Sequence, residues 1–222
     1  MEERLSQSEE NYLKAIYSLT LESDDAISTN TLAEKLDAKA SSITDMLRKL
    51  SAKNYLEYQK YQGCRLTASG RKAALTVVRK HRLWEVFLVD KLQFGWEEVH
   101  DIAEQLEHIH STKLTDKLEE FLGFPAFDPH GDPIPSAEGE LKVTVNRIPL
   151  SMCEVGSNAV IMGVEDGSSE FLTYLRKVSV SIGAEIRVLD KFPFDGSLVI
   201  EVGGNSIQFS KMIADKIFVQ KR

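Results

Sequence analysis

The spacing of apolar residues changes near residue 140, and this change constrains the fold more than any other feature of the chain. Before that point, apolar residues recur at the three- and four-residue steps of amphipathic helices, as in segments 5–21, 40–53 and 71–91. Beyond residue 142, short runs of apolar and β-branched residues alternate with glycines, which is typical of short strands. The sequence therefore predicts a mainly α chain with a small β domain at its C-terminal end.

The N-terminal part predicts a winged helix-turn-helix. After a first helix over 5–21, two short helices over 28–36 and 40–53 are joined by a three-residue turn, which is the helix-turn-helix pattern. Two short strands, 56–59 and 64–67, then enclose a turn that Gly63 permits. The hairpin would form the wing.

This predicted module is basic, although the whole chain has a net charge of −7. Between residues 28 and 72 there are nine basic and four acidic residues, so the segment carries +5 and the remainder −12. Small and polar residues at the start of the third helix would let it approach a DNA major groove, while basic residues would contact phosphates. A winged helix that contacts protein is the alternative. The residues predicted to face DNA are Lys39, Ser41, Ser42, Thr44, Asp45, Arg48, Lys49, Lys60 and Arg65.

Segment 96–117 predicts an amphipathic helix with metal-ligating side chains on one stripe. His100, Glu104, Glu107 and His108 are at positions i, i+4, i+7 and i+8 of such a helix. Two imidazoles and two carboxylates suit Mn(II), Fe(II), Co(II) or Zn(II). One helix cannot enclose a metal, so other segments must supply facing ligands. The alternative is a solvated acidic face with unremarkable histidines.

A second group of metal-capable residues is divided between the long helix and a linker. The helix over 71–91 places two such residues four positions apart, on one face. Segment 124–134 is rich in proline, glycine and aromatic residues, which marks a linker, and it contains two more. Turn formation by the Asp-Pro pair is the alternative. The four residues predicted to meet at a second metal are His81, Glu85, Asp128 and His130.

The C-terminal region predicts a small SH3-like β barrel. A helix over 171–178 interrupts the strands, and a tail over 212–219 would add a last turn and strand. The predicted strands are 143–148, 159–164, 185–191, 198–202 and 206–209. The predicted domains are a winged helix-turn-helix over 1–72, a helical metal-binding and dimerisation domain over 73–124, a linker over 125–141 and the SH3-like domain over 142–222.

The amino-acid composition predicts the cellular compartment and the oligomeric state of the protein. No apolar run approaches the ~18 residues of a membrane span, and the N-terminus is polar rather than signal-like. Two distant cysteines cannot form a disulfide framework or a thiolate zinc site, so we expect a reducing cytoplasm. Trp84, Phe87 and Leu88 give more apolar surface than one small domain buries, which predicts a homodimer.

Enzymatic motifs are absent from the sequence. There is no glycine-rich phosphate loop, zinc-protease motif or serine elbow. Glu107 and His110 have the Glu-x-x-His spacing of di-iron helical bundles, but those need the motif on two helices and only one copy is present. A metal-independent winged-helix adaptor remains the main alternative to a metal-dependent regulator.

Several ordered motifs resemble one known family. They are ENYLKAIYSL, RKHRLWEVFL, VHDIAEQLEHIHS, HGDPIP and GVEDGSSEFLTYLRKVSVSIGAEIRVL. Over essentially its whole length the chain resembles the diphtheria-toxin-repressor/manganese-transport-regulator family of metal-dependent transcriptional repressors, with a FeoA-type SH3-like domain at its end. The resemblance implies a homodimer that binds double-stranded operator DNA when metal fixes the spacing of its winged helices. It implies neither a membrane nor a small-molecule substrate as partner.

The same resemblance implies two metal sites. Where the manganese-sensing branch has Asp and a further carboxylate, this chain has Asn11 and Lys14; where the iron-sensing branch has Cys, it has Glu104. An Asn carbonyl can bind a metal, whereas a protonated lysine cannot. Ligands without sulfur favour Mn(II), with Fe(II) next and Zn(II) or Co(II) as substitutes in vitro. The primary site would comprise Asn11, Glu104, Glu107 and His108, and the ancillary site His81, Glu85, His100, Asp128, His130 and Glu170. In some members of the family, the residue at the position of His81 serves the primary site instead.

Overall fold

The computed structural model describes residues 4–21, 23, 25–141, 147–165 and 168–222. The chain divides into two compact units. The N-terminal unit comprises Met1–His81, Gln105–Lys117 and Pro135–Lys142, and the C-terminal unit comprises Arg82–Glu104, Leu118–Ile134 and Val143–Arg222. Across the described ranges, no helix is both long and apolar enough to cross a bilayer.

The N-terminal unit contains the predicted winged helix-turn-helix. Its helices pack around a core in which Leu13, Ile16 and Leu47 are fully buried. Strands β1 and β2 pair as an antiparallel hairpin, with Leu56 opposite Leu66. The elements are α1 (Gln7–Thr20), α2 (Thr29–Lys35), α3 (Ala40–Ala52), β1 (Leu56–Gln59), β2 (Gly63–Leu66) and the first part of α4 (Ala68–Leu92). The helical period in the sequence therefore located each helix to within a few residues.

Local chemistry explains where these elements begin and turn. The Ser28 hydroxyl accepts a hydrogen bond from the Thr31 amide and caps α2, as serine commonly does. Gly63 has φ +93°, and a Cβ there would lie 2.6 Å from the Ile27 carbonyl oxygen. Only glycine meets both conditions without strain, so the predicted role of Gly63 in the wing is confirmed.

The predicted continuous helix over segment 96–117 is wrong. Helix α5 (Val99–Leu106) ends before Glu107, and α6 (Thr112–Phe121) begins after a break at residues 107–111. Ser111 explains the break, because its hydroxyl accepts a hydrogen bond from the Leu114 amide and its carbonyl accepts one from the Thr115 amide. A serine that satisfies the first amides of a new helix favours a restart over continuation. Glu107 and His108 therefore lie in a turn and do not share the stripe of His100 and Glu104.

The C-terminal unit contains an antiparallel sheet with strand order β3-β8-β4-β5-β6-β7. Its core includes fully buried Leu150, Leu172 and Phe209. Most of the predicted strand over 143–148 lies outside the described residues. The elements are β3 (Ile148–Pro149), a 3-10 turn (Leu150–Met152), β4 (Asn158–Val164), α7 (Ser169–Lys177), β5 (Glu185–Lys191), β6 (Leu198–Val202), β7 (Asn205–Phe209), α8 (Lys211–Asp215) and β8 (Ile217–Lys221). The SH3-like class predicted from the sequence agrees with this sheet.

The helical residues of the C-terminal unit form two smaller apolar clusters. Leu83 and Val86 of α4 are buried with Leu118 and Ile134, and Leu88 is buried with Val99 and Ala103. Leu88 therefore packs within its own chain, which corrects its predicted place on a dimer surface, while Trp84 and Phe87 are half-buried. The exposed apolar residues of these helical segments are Leu92, Phe94, Phe121 and Phe124.

Candidate metal centres and nucleic-acid interface

The predicted DNA-facing residues lie in the N-terminal unit, at the start and along the length of α3 and on the wing hairpin. All of them are exposed except Thr44, which is half-buried and donates its hydroxyl to the Ala40 carbonyl oxygen. A groove of about 400 Å³ is lined by Ser28 of the α2 cap, Thr44 of α3, and Tyr58 and Lys60 of the wing. At the wing tip, the Lys60 ammonium lies 4.8 Å from the centre of the exposed Tyr61 ring. The arrangement offers cations and hydroxyls to an extended anionic partner.

Lys49 has a second role in this unit. The Lys49 Nζ lies 3.3 Å from the Glu9 Oε1, and the same oxygen forms an ion pair with the Lys53 Nζ at 2.8 Å. Glu9 is 1% exposed; burial acts to raise its pKa, but hydrogen bonds from Lys53, Ser6 and Lys49 lower it to about 2. The first turn of α1 is thus joined to the last turns of α3 by a buried carboxylate.

Glu9→Gln is expected to lower the free energy of unfolding by about 1–2 kcal/mol at pH 7. The folded pKa of about 2 lies below the ordinary value of 4.5, so this stabilisation is complete above pH 4.5 and is lost as pH falls toward 2. Urea unfolding at pH 7 and pH 3 measures the difference in unfolding free energy between the variant and the wild type. Glu57→Gln, at an exposed position, is the control. An equal difference from wild type at both pH values would contradict the ion-pair origin.

A first cluster of candidate ligands surrounds Glu107, which is 1% exposed. Its Oε2 accepts hydrogen bonds from the Lys14 Nζ at 2.7 Å and the His81 Nδ1 at 2.6 Å, and those two nitrogens are 3.2 Å apart. Burial acts to raise the pKa of Glu107, but the hydrogen bond from His81 and the charge of Lys14 hold it below its ordinary value. Glu107 is therefore a carboxylate in the folded protein.

His108 is oriented by Glu10, a residue that the sequence analysis missed. The Glu10 Oε2 lies 2.6 Å from the His108 Nδ1, while the His108 Nε2 lies 3.6 Å from the Glu107 Oε1. Because the carboxylate accepts the Nδ1–H, the Nε2 lone pair is left toward Glu107, and this is the tautomer that metal-binding histidines adopt. The Glu107 Oε1 and the His108 Nε2 together fit a divalent cation of intermediate hardness.

The other residues predicted for the primary site are placed differently. Asn11 is exposed on α1, one position beyond Glu10. Glu104 belongs to the C-terminal unit, is 53% exposed and lies 3.6 Å from His100 within that unit. The structure thus brings Glu107 and His108 together and adds Glu10, Lys14 and His81. Glu10 and Lys14 are one helical turn apart on α1, which is the signal that could have identified them as a pair.

A second cluster lies wholly within the C-terminal unit. Ligand atoms of Glu85, Asp128 and His130 all lie within 4.8 Å of one another, and all three side chains are buried. His100 joins them at its Nδ1, 3.6 Å from the Glu85 Oε1. The His130 Nε2 donates to the Trp96 carbonyl oxygen at 2.9 Å, so its Nδ1, 3.6 Å from Glu85, is the atom that a cation would bind by displacing a proton. Glu170 lies apart as an exposed residue in the first turn of α7, and its predicted role stays a prediction.

Proton affinities in the second cluster are strongly shifted. Burial, together with the charges of Glu85 and Asp132, raises the pKa of Asp128 to about 6. Burial acts to lower the pKa of His130, but the hydrogen bond and charge of Glu85 and the charge of Asp128 raise it to about 9. Crowded buried carboxylates that hold protons near neutrality favour replacement of those protons by a cation.

The loop carrying Asp128 and His130 is held rigidly. The Asp128 Oδ1 accepts hydrogen bonds from the amides of His130 at 2.8 Å and Asp132 at 2.9 Å. Gly131 has φ +87°, and a Cβ there would overlap the Met162 carbonyl oxygen. These contacts fix the direction in which the loop presents both side chains to Glu85.

A winged helix-turn-helix and two clusters of buried carboxylates and imidazoles together define a DNA-binding regulator that responds to metal. Three family models match the chain: iron dependent repressor, N-terminal DNA binding domain over 4–64; iron dependent repressor, metal binding and dimerisation domain over 67–136; and FeoA domain over 148–221. The chain belongs to the diphtheria-toxin-repressor/manganese-transport-regulator family of metal-dependent transcriptional repressors, as the sequence motifs predicted. The matched families are repressors and not enzymes, which confirms that prediction as well.

Individual relatives extend along nearly the whole chain. The iron-dependent repressor IdeR of Mycobacterium tuberculosis (strain ATCC 25618 / H37Rv) is 28% identical over 96% of each chain. A solved manganese-dependent transcriptional repressor in complex with manganese is 35% identical with a TM-score of 0.85, and the match covers 96% of this chain and all of that one. The solved structure of ScaR with bound Zn²⁺ is 34% identical with a TM-score of 0.77, covering 96% and 99% of the two chains.

Proposed function

We propose that this protein is a homodimeric repressor that binds double-stranded operator DNA when loaded with Mn(II), and so controls genes of metal uptake. One observation carries the proposal. Helix α1 contributes Glu10 to the cluster at Glu107 and His108. The preceding residue, Glu9, is ion-paired to Lys49 of α3 and to Lys53, which follows that helix. A cation bound by Glu107 and His108 would therefore favour one arrangement of the helices that present α3 to DNA.

The donor chemistry supports Mn(II) as the activating ion. Both clusters offer carboxylate oxygens and imidazole nitrogens, which suit Mn(II) better than sulfur ligands would. Both cysteines are buried, and burial raises the pKa of Cys64 to about 11, so no thiolate is offered. Fe(II) is the alternative, and the stability order of divalent metals lets Zn(II) or Co(II) replace either in vitro.

Dimerisation is supported by the apolar surface of the C-terminal unit. Leu92, Phe121 and Phe124 are more than half exposed; Leu92 and Phe121 are the last residues of α4 and α6, and Phe124 follows α6. The Phe87 and Phe121 rings lie 6.3 Å apart and form part of this surface. Large exposed aromatic residues are typical of a protein interface, and a twofold pair would place two winged helices on paired half-sites.

The test is a fluorescence anisotropy titration with a duplex that the Mn(II)-loaded protein has selected from a random DNA pool. Binding with Mn(II) is expected to be roughly 5–150-fold tighter than binding in EDTA, as a coupling of about 1–3 kcal/mol requires. Equal affinity in both conditions would identify a metal-independent adaptor. Absence of duplex selection would overturn the repressor function.

Arg48→Ala is expected to weaken binding to all duplexes alike and to reduce the slope of log affinity against log salt by about 1, because a phosphate contact releases counterions. Arg48 is an exposed side chain on α3 and forms an ion pair with the exposed Asp45 at 3.6 Å. Arg222→Ala is the matched control, since its side chain is equally exposed at 61% but lies in the C-terminal unit. An unchanged slope for Arg48→Ala would remove it from the DNA interface.

A further inference from the structure

The cluster at Glu107 has two halves, and one of them already holds a cation. On one side, the Glu107 Oε1 faces the His108 Nε2 at 3.6 Å. On the other, the Glu107 Oε2 and the His81 Nδ1 are 2.6 Å apart, and the Lys14 Nζ lies 2.7 Å and 3.2 Å from them. The ammonium thus lies beside an oxygen and a nitrogen that a second metal ion could bind only by displacing both the ammonium and the proton that His81 donates to Glu107.

We propose that Lys14 is a built-in cation that takes the place of a second metal ion, so that this cluster binds one metal per subunit. The inference rests on the proposed metal-dependent function and specifies the number of ions that the first cluster takes. The bound ion is assigned to the half formed by the Glu107 Oε1 and the His108 Nε2. Lys14 is here a specificity-determining residue and not a ligand.

Charge balance supports this assignment. Two carboxylates, Glu10 and Glu107, face two ammonium groups, Lys14 and Lys80, with the Lys80 Nζ 3.4 Å from Glu10. The charges of this buried group sum to zero, so one divalent ion makes it +2 and a second would make it +4. Uncompensated buried charge is costly, and the cost rises steeply with each added ion. A second ion would also have to displace an ammonium that the chain tethers beside its two partners.

Lys14→Glu makes the net charge of the cluster negative and so tests whether Lys14 limits the number of bound ions. The variant cluster would have three carboxylates and one ammonium, so two divalent ions would leave the same +2 that one ion leaves in the wild type. We expect one additional Mn(II) per subunit, counted by equilibrium dialysis with atomic emission. Electron paramagnetic resonance is expected to change from isolated Mn(II) in the wild type to an exchange-coupled pair, because paired ions in such sites lie about 3.5–4 Å apart.

Lys113→Glu is the matched control, since it makes the same charge change at an exposed position of α6 and is expected to leave the count unchanged. Lys14→Gln serves if the glutamate variant does not fold, because the amide can still donate to Glu107; it is expected to admit the additional ion with weaker affinity. An exchange-coupled pair in the wild type, or counts in folded Lys14 variants equal to wild type, would overturn the role of Lys14. A wild type that binds no Mn(II) would instead refute the metal-dependent function itself.

Discussion

Glu107→Gln is expected to abolish the metal-stimulated part of DNA binding, which is a loss of roughly 5–150-fold measured in the presence of Mn(II). Glutamine keeps the shape of the side chain but removes the charge that His81 and Lys14 stabilise and that a divalent ion at His108 requires. Affinity in EDTA should stay within about twofold of the wild type, because the DNA-facing residues of α3 and the wing are unchanged. Anisotropy titrations with and without Mn(II) measure both quantities.

His110→Ala is the matched control for this experiment. His110 lies in the segment between α5 and α6 and its Nδ1 is 3.7 Å from Glu10, but its side chain is 30% exposed, against 9% for His108. We expect it to keep most of the metal response, whereas His108→Ala should lose it. A full response in Glu107→Gln, with the variant folded by circular dichroism, would show that the ion binds elsewhere.

Gly131→Ala is expected to destabilise the folded protein by about 3 kcal/mol, because the new methyl group would overlap the Met162 carbonyl oxygen at a backbone conformation that disfavours alanine. Gly123→Ala separates the two causes: Gly123 also has positive φ, at +76°, but a Cβ there meets nothing within 4 Å. It should cost only about 1 kcal/mol. Chemical unfolding of both variants measures the difference.

The same substitution tests the second cluster. Any shift that relieves the overlap at Gly131 moves the neighbouring His130 and the amides that orient Asp128. Titration calorimetry with Mn(II) should therefore show the loss of one binding event in Gly131→Ala, while Gly123→Ala keeps it. Equal stability of the two variants would contradict the close approach of this loop to β4.

The sequence was sufficient for those features that depend on local periodicity and residue chemistry. Helical spacing located α1, α3 and α4, and the glycine at the wing was needed where the backbone passes Ile27. Residue chemistry and the family resemblance also predicted that Asp128 and His130 would meet Glu85, more than forty residues away, and the structure places these three side chains together. Their role as metal ligands stays a prediction.

The features that the sequence did not predict depend on tertiary packing, which residue spacing does not determine. Apolar period alone continued the helix through Glu107, whereas α5 ends at Leu106 and Ser111 caps a new helix, α6. Glu10 could not be distinguished from a solvated N-terminal acid until its contact with His108 was known. Leu88 had the hydrophobicity of an interface residue, and only its neighbours Val99 and Ala103 show that it is core.

Glu9 and Glu10 are consecutive residues, so α1 would couple metal binding at the first cluster to DNA binding by α3. This coupling has a consequence for the order in which the protein loses its metal. Linkage is reciprocal, so an operator that binds the ion-loaded form more tightly must also raise the affinity of the protein for the ion by the same factor. As supply falls, molecules in free solution would empty first and those already seated on a promoter last. Transcription would then resume only after the DNA-free protein has lost its metal. Repression would therefore persist for a short time after the metal concentration falls.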